Sequence, residues 1–395
     1  MLDSITGLPS LAWPFALASA WLLGELLRHI SGLPRISAYG LIGFIFGNAV
    51  PAAVYGSQQE VLNLAANFAF GLLLFEMGYR FNLSWLKENP WIALTGLCEC
   101  LLTFFIVAAI ASWSGLPTFV ALLLATLSMA ASPASVVRVM NEEGAAGQLS
   151  ERVLHLTAIS CVLAACMFKV VLGVGVYQST GSWLAAAWHS LAVLAVSAGL
   201  GVVLGVIVPA WLRVIGRLTS DGTIAFAIGV MLLVAVTHVL KLSPIVATLV
   251  FGLVARHRRI SLSRAQRNFG LLGDFLAILL FFYVGSTISL EHAASGALLG
   301  VVLVLARTTA KTAVTCALAR PSGIGTRKGL LTGLALAPMS VFALLLLEQT
   351  RHLGLDLVDR LHALAAMALI LEVAGPVLTQ FALRRAQESQ YGRKE

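Results

Sequence analysis

The residues best suited to hold an ion lie in Ser128-Met129-Ala130-Ala131-Ser132-Pro133-Ala134-Ser135, in the middle of an apolar stretch from Phe119 to Met140. Proline removes an N–H and breaks the helix, which frees carbonyls next to the hydroxyls of Ser132 and Ser135. Unwound backbone at bilayer depth survives only inside protein or beside a water-filled cavity. A broken membrane helix is therefore a place where ions and their coupling partners bind. A second break, Leu336-Ala337-Pro338-Met339-Ser340, interrupts another apolar stretch about 200 residues later. The candidate ion-binding residues at the two breaks are Ser132, Pro133, Ser135, Pro338 and Ser340.

Charge inside the apolar segments is the second source of chemistry. An ionised side chain at the bilayer centre costs at least about 2.5–3.5 kcal/mol, so each one requires a reason. Arg307 and Lys311 are four residues apart and share a helix face. Two readings fit them: a structural pair that serves helix C-terminal carbonyls or a distant glutamate, or direct work on a bound ion. Glu99 and Glu372 lie inside apolar segments and are the candidates to supply negative charge or carry a proton. Lys169 either points inward or snorkels to the interface. His155, His189, His238, His292 and His352 fall near segment ends without metal-ligand spacing, and read as interfacial. Cys98, Cys100, Cys161, Cys166 and Cys316 all lie in apolar segments, as small buried hydrophobes outside any disulfide framework. No metal and no cofactor is expected. Without paired acids, a nucleophile triad or a phosphate loop, the chain does not read as an enzyme.

These residues need elements to carry them. Of 395 residues, 59% are hydrophobic and 11% charged, far too apolar for a soluble domain of this size. The chain reads as an all-α, multi-pass membrane protein. Spans of about 20 apolar residues fall near 9–28, 36–51, 60–79, 91–113, 117–139, 153–177, 183–209, 222–240, 243–256, 268–289, 293–318, 329–350 and 360–383, thirteen in all. Basic residues test that count. Twenty of the 26 fall in one set of alternate loops and adjoining span ends; Lys241, Arg351 and Arg360 fall in the other, and Lys169, Arg307 and Lys311 lie within spans. By the positive-inside rule the N-terminus is outside and the C-terminus cytoplasmic, in a plasma membrane of the bacterial inner-membrane type. The same asymmetry accounts for the net charge of +8 without nucleic acid. Ala18-Ser19-Ala20 has a cleavage-site pattern, but no basic residue precedes the apolar run, which continues to Leu27 and reads as the first span. Only ten residues follow Arg385, so the expectation is a single transmembrane domain over 1–395 with no C-terminal regulatory domain. The tryptophans mostly mark membrane interfaces. Gly199, Gly201 and Gly205 in the seventh span suggest close helix packing, either between two copies or inside one.

The fifth span runs inward and the twelfth outward. Spans 4–6 and 11–13 then form two three-span units of opposite topology, each with a proline break in its middle member, as in the inverted repeats of secondary transporters. The fourth and eleventh spans are repeat partners and could face each other, which favours Glu99 over Glu372 as the source of negative charge; a structural ion pair is the other reading of either acid.

Several segments add a family likeness. They are Gly71-Leu72-Leu73-Leu74-Phe75-Glu76-Met77-Gly78, Ala134 to Gly144, Leu242-Ser243-Pro244 with Phe251-Gly252-Leu253-Val254, Phe281-Phe282-Tyr283-Val284-Gly285, and Arg307 with Lys311. In order and spacing they resemble the monovalent cation:proton antiporter superfamily, which includes sodium/proton exchangers and Kef-type potassium efflux proteins. The resemblance implies a core domain (spans 91–177 and 293–383) in which the two broken helices cross, and a dimerisation and scaffold domain from the other spans. It also implies a homodimer, elevator-like alternating access, and exchange of sodium or potassium for protons.

One departure matters most. The family usually carries an acidic residue or pair in the sixth span, and the matching positions here are Ser160 and Cys161. A serine oxygen can help coordinate a cation but carries no charge, and a buried thiol is a poor proton carrier. Met339 stands where the second break often has an acid. Two other functions therefore stay open on the same scaffold. With Arg307, Lys311 and Lys169 unmatched, the site could take a small anion or organic acid; alternatively, the chain could be a sensor or assembly protein that does not transport.

Overall fold

The computed structural model describes residues 8–50, 59–180, 183–215, 222–258, 269–339, 341, 343 and 361–390. Among these residues the chain is entirely helical, with no strand. The helices are α1 (Leu8–Ser31), α2 (Arg35–Ala49), α3 (Gln59–Arg80), α4 (Leu83–Glu88), α5 (Pro90–Trp113), α6 (Thr118–Met129), α7 (Pro133–Glu142) and α8 (Gln148–Thr180). They continue with α9 (Trp183–Ile215), α10 (Gly222–Val239), α11 (Pro244–His257), α12 (Gly270–Ser286), α13 (Leu290–Ser295), α14 (Ala297–Ala317), α15 (Thr326–Ala335) and α16 (His362–Arg385). Eight described segments are long and apolar enough to cross a membrane, and Pro244–His257 and Leu272–Ser286 are shorter apolar helices. The proposed twelfth span is described only to Met339 and at Val341 and Ala343, so Ser340, Glu348 and His352 lie outside the described residues.

The first break follows from Pro133. A proline biases the residue before it toward extended backbone, and Ser132 sits at φ −80°, ψ 111°. Ala130, just past the end of α6, is extended as well. Ser132 then caps α7: its hydroxyl accepts from the N–H of Ser135 (3.4 Å), with Pro133 in the first turn. In the apolar 18-residue window of Thr118–Glu142, which holds the break, 94% is buried, against 22% for that of Leu191–Val214. The protein thus encloses its unwound backbone and leaves regular helix on the outside.

Helices α5, α6 and α8 pack together, and α14 joins them through α5, α15 and α16. The remaining long helices pack as α2 on α12, α3 on α11 and α9 on α11. The α3–α11 crossing depends on glycine from both sides. A Cβ on Gly78 would collide with the carbonyl of Leu249, and one on Gly252 with the carbonyl of Phe75. Gly201 and Gly205 pack on α11 within the same chain, Gly205 against Val254, whereas Gly199 meets open space.

Two sequence expectations need correction. Trp13 is a core residue packed against Phe282, with ring centroids 5.1 Å apart, so it does not mark an interface. His155 is fully buried between Phe81 and Trp85 and accepts from the N–H of Asn82 (3.1 Å), so it is not interfacial either.

Candidate functional site

The two breaks meet in the middle of the protein. The N–H of Ser132 donates to the carbonyl of Pro338 (2.6 Å), which joins the unwound segments directly. Where α6 stops, its carbonyls have no helical partner, and side chains take them over one by one. Arg307 Nε donates to Ser128 (2.8 Å), Lys311 Nζ to Met129 (2.7 Å), Arg307 Nη2 to Ala130 (2.8 Å) and Cys161 Sγ to Ala131 (3.3 Å). The N–H of Ala131 donates to Ser160 Oγ (3.1 Å), whose own proton goes to Thr157. The second break is served in the same way. Arg307 Nη1 donates to Ala337 (2.6 Å) and Nη2 to Leu336 (3.4 Å), while Thr379 Oγ1 donates to Ala335 (3.0 Å).

Arg307 and Lys311 are both completely buried on α14. The Lys311 ammonium forms an ion pair with Glu99 of α5, itself fully buried, and Cys100 Sγ lies 3.4 Å from the other carboxylate oxygen. Two cations and one anion would leave an excess positive charge. However, the C-terminal ends of α6 and α15 converge here, and each carries about half a negative elementary charge. These ends offset part of that excess, while the N-terminus of α7, which starts at the same break, acts in the opposite sense.

The other sequence candidates fall at varying distances from this point. Ser132, Pro133, Ser135, Ser160, Cys161 and Pro338 are all buried at the breaks. Glu372 is buried on α16, but it packs against Gly40 of α2; Gly375, one turn later, meets Pro338. Glu99 is therefore the acid that joins the basic pair. Lys169 is partly buried on α8. Among the described residues no group of three or more His, Cys, Asp or Glu could hold a metal ion.

A polar network missed by the sequence reading closes the end of the protein where α7 and α16 finish. Glu143 is buried there and accepts from Arg384 Nε (2.9 Å), Arg28 Nη1 (2.9 Å), Gln380 Nε2 (2.8 Å) and Ser389 Oγ (2.5 Å). These partners come from α1, α16 and the segment after it, so no local spacing announced them. Glu76 is likewise buried and holds Arg80 (2.6 Å) and Asn141 (3.2 Å). Arg138 ties α7 to α12 through Asp274 (2.8 Å) and the carbonyl of Gly273 (2.6 Å). Burial works to raise the pKa of Glu143, but the hydrogen bonds from Arg384, Ser389, Gln380 and Arg28 outweigh it and hold the carboxyl down to about 2. An unfolded glutamate titrates near 4.3. Ionised Glu143 therefore stabilises the fold above about pH 4.3, and that contribution is lost as pH falls toward about 2. The unfolding midpoint of Glu143→Gln should change less than that of wild type across this window; parallel profiles would dissociate the network from acid stability.

Among the described residues, an all-helical bundle in which two proline breaks are hydrogen-bonded to each other and served by buried basic residues has features of an ion-coupled secondary transporter. The chain matches the family described as sodium/hydrogen exchanger, transmembrane, over residues 15–385, and it belongs to that family. This is a family of transporters and not of enzymes. Two solved structures of the sodium proton antiporter MjNhaP1 from Methanocaldococcus jannaschii share the fold. One, determined at pH 8, has 17% identity and a TM-score of 0.63, with 97% of each chain covered. The other, from electron microscopy, has 18% identity and a TM-score of 0.68, with 96% of each chain covered. A search of curated proteins found no match.

Proposed function

We propose that this protein exchanges a monovalent cation, sodium or potassium, for protons by alternating access around its two joined breaks. The observation that carries this reading is the buried Lys311–Glu99 pair, set against the carbonyl of Met129 at the end of α6. A cation that binds Glu99 must displace the lysine ammonium. The cation and the proton-bearing ammonium then compete for one carboxylate, which is the requirement for exchange. The hydroxyls of Ser132 and Ser135 are neutral oxygens that would help complete the shell, and Ser160 and the carbonyls of the break would join it through lone pairs not used by their present donors. On this reading the helices of 91–177 and 293–383 form the moving core, and the other helices form the scaffold through which two copies pair. The membrane is the bacterial inner membrane, with the N-terminus outside.

The anion reading has less support. Arg307 is committed to four carbonyls and Lys311 to Glu99, which leaves little free positive charge for an anion. A proteoliposome assay with a pH-sensitive dye separates the readings. Sodium, potassium and lithium are added in turn, followed by several anions. A proton flux driven by at least one cation is expected. Flux driven only by anions would move the protein to the second class, and silence with every solute would favour a sensor or assembly role.

A further inference from the structure

We propose that the cleft between α14, α15 and α16 binds one anionic phospholipid. The cleft has a volume of about 430 Å³ and is lined by Cys316, Thr326, Arg327, Leu330, Phe381 and Arg385, with Leu331 at its base. That volume falls within the roughly 300–1,000 Å³ typical of small-molecule sites. Its lining is divided by chemistry. Arg385 ends the apolar helix His362–Arg385, and Arg327 stands in the first turn of α15, so two guanidinium groups lie where the hydrocarbon segment stops. Leu330 and Phe381 are 43% and 52% exposed, on the side of the cleft that continues along the apolar helices. An occupant must therefore be negatively charged at one end and apolar at the other, and must approach from the bilayer.

The two arginines are also available for such a ligand. Elsewhere at this end of the protein Arg28, Arg80, Arg138 and Arg384 each hold a carboxylate. Among the described residues neither Arg327 nor Arg385 makes an ion pair. Guanidinium is well matched to a phosphodiester, which it can grip with two parallel N–H donors. The start of α15 lines the same cleft at Thr326 and has no side-chain cap, which adds positive potential at the phosphate position. Because α15 leads within a few residues into the second break, the lipid would sit against one arm of the crossing. The inference rests on the membrane location of the chain and not on which ion it moves.

The test is native mass spectrometry of the purified full-length protein, titrated separately with phosphatidylglycerol and phosphatidylcholine. One phosphatidylglycerol per chain should be retained in preference to phosphatidylcholine. Arg327→Gln/Arg385→Gln should weaken that retention about 30-fold, and Arg385→Gln alone about fivefold. Arg327→Lys/Arg385→Lys should lose less than about threefold, which distinguishes a lost charge from a damaged fold. Arg320→Gln, at an exposed arginine outside the cleft, should leave retention unchanged. Equal retention of the two lipids, or undiminished retention in either glutamine variant, would overturn the proposal. An equal loss in Arg320→Gln would do the same, because it would reduce the effect to general surface charge. So would displacement of the lipid by millimolar inorganic phosphate, which would make the site one for a free anion.

Discussion

Arg307→Met is expected to destabilise the purified protein by about 3–5 kcal/mol and to abolish exchange. The guanidinium donates to Ser128, Ala130, Leu336 and Ala337, so a single side chain satisfies carbonyls from both breaks. Methionine fills much of the same space but donates nothing. Each carbonyl left buried and unpaired costs about 1–3 kcal/mol, and relaxation of the unwound segments recovers only part of the sum. Arg307→Lys keeps the charge but not the planar fork that reaches two unwound segments at once. It should fall between wild type and methionine in stability, with exchange strongly reduced. Unfolding in detergent, followed by tryptophan fluorescence, measures the first effect. An unchanged midpoint for Arg307→Met would show that the breaks hold together without it.

The second large effect concerns Glu99. Glu99→Gln leaves the Lys311 ammonium in a fully buried position with neutral acceptors only and no counter-charge. Removal of one member of a buried ion pair costs about 3–5 kcal/mol, whereas replacement of both with neutral groups of similar volume is often harmless. Glu99→Gln/Lys311→Met should therefore recover most of the stability lost in Glu99→Gln, with a coupling between the sites that a double-mutant cycle can read. Transport should behave differently. Both variants should lose cation-driven proton flux, because neither retains a carboxylate for which cation and proton compete. A double variant that exchanged ions as fast as wild type would make the pair purely structural and return the search to Ser160, Cys161 and Glu372.

Much of this arrangement was legible in the chain because bilayer physics limits the possibilities. Pro133 and Pro338, each next to small hydroxyl residues in an apolar segment, pointed to interrupted helices over simple kinks, although Pro14, Pro209 and Pro376 sit inside continuous helices. Arg307 and Lys311, four apart in another such segment, had to meet carbonyls or an acid, and in the structure they meet both. Glu99 was preferred over Glu372 as a source of charge on the opposed repeats, and in the structure it pairs with Lys311. What could not be read was tertiary. Ser160 looked like a free oxygen, but it serves the N–H of Ala131 across 29 residues of chain. The partners of Glu143 lie 115 and more residues away. His155 and Trp13 obeyed the rule for span ends by position alone, and their burial depends on which helix packs over them. The order of hydrophobic segments predicts where helices are, but not which of their faces turn inward.

The fork of Arg307 also bears on how the protein is made. The carbonyl of Ser128 waits for a donor that lies 179 residues further along the chain. At about 5–20 residues per second of synthesis, that interval is roughly 9–36 s. During it the first interrupted helix is already translated, but its exposed carbonyls must be met by water, lipid headgroups or the insertion machinery. Neither half of the chain can complete its own hydrogen bonding, so the centre of the protein forms only after the second half arrives. A nascent chain arrested before Arg307 should accordingly remain susceptible to quality-control proteolysis near residues 128–135, and should lose that susceptibility once α14 is released.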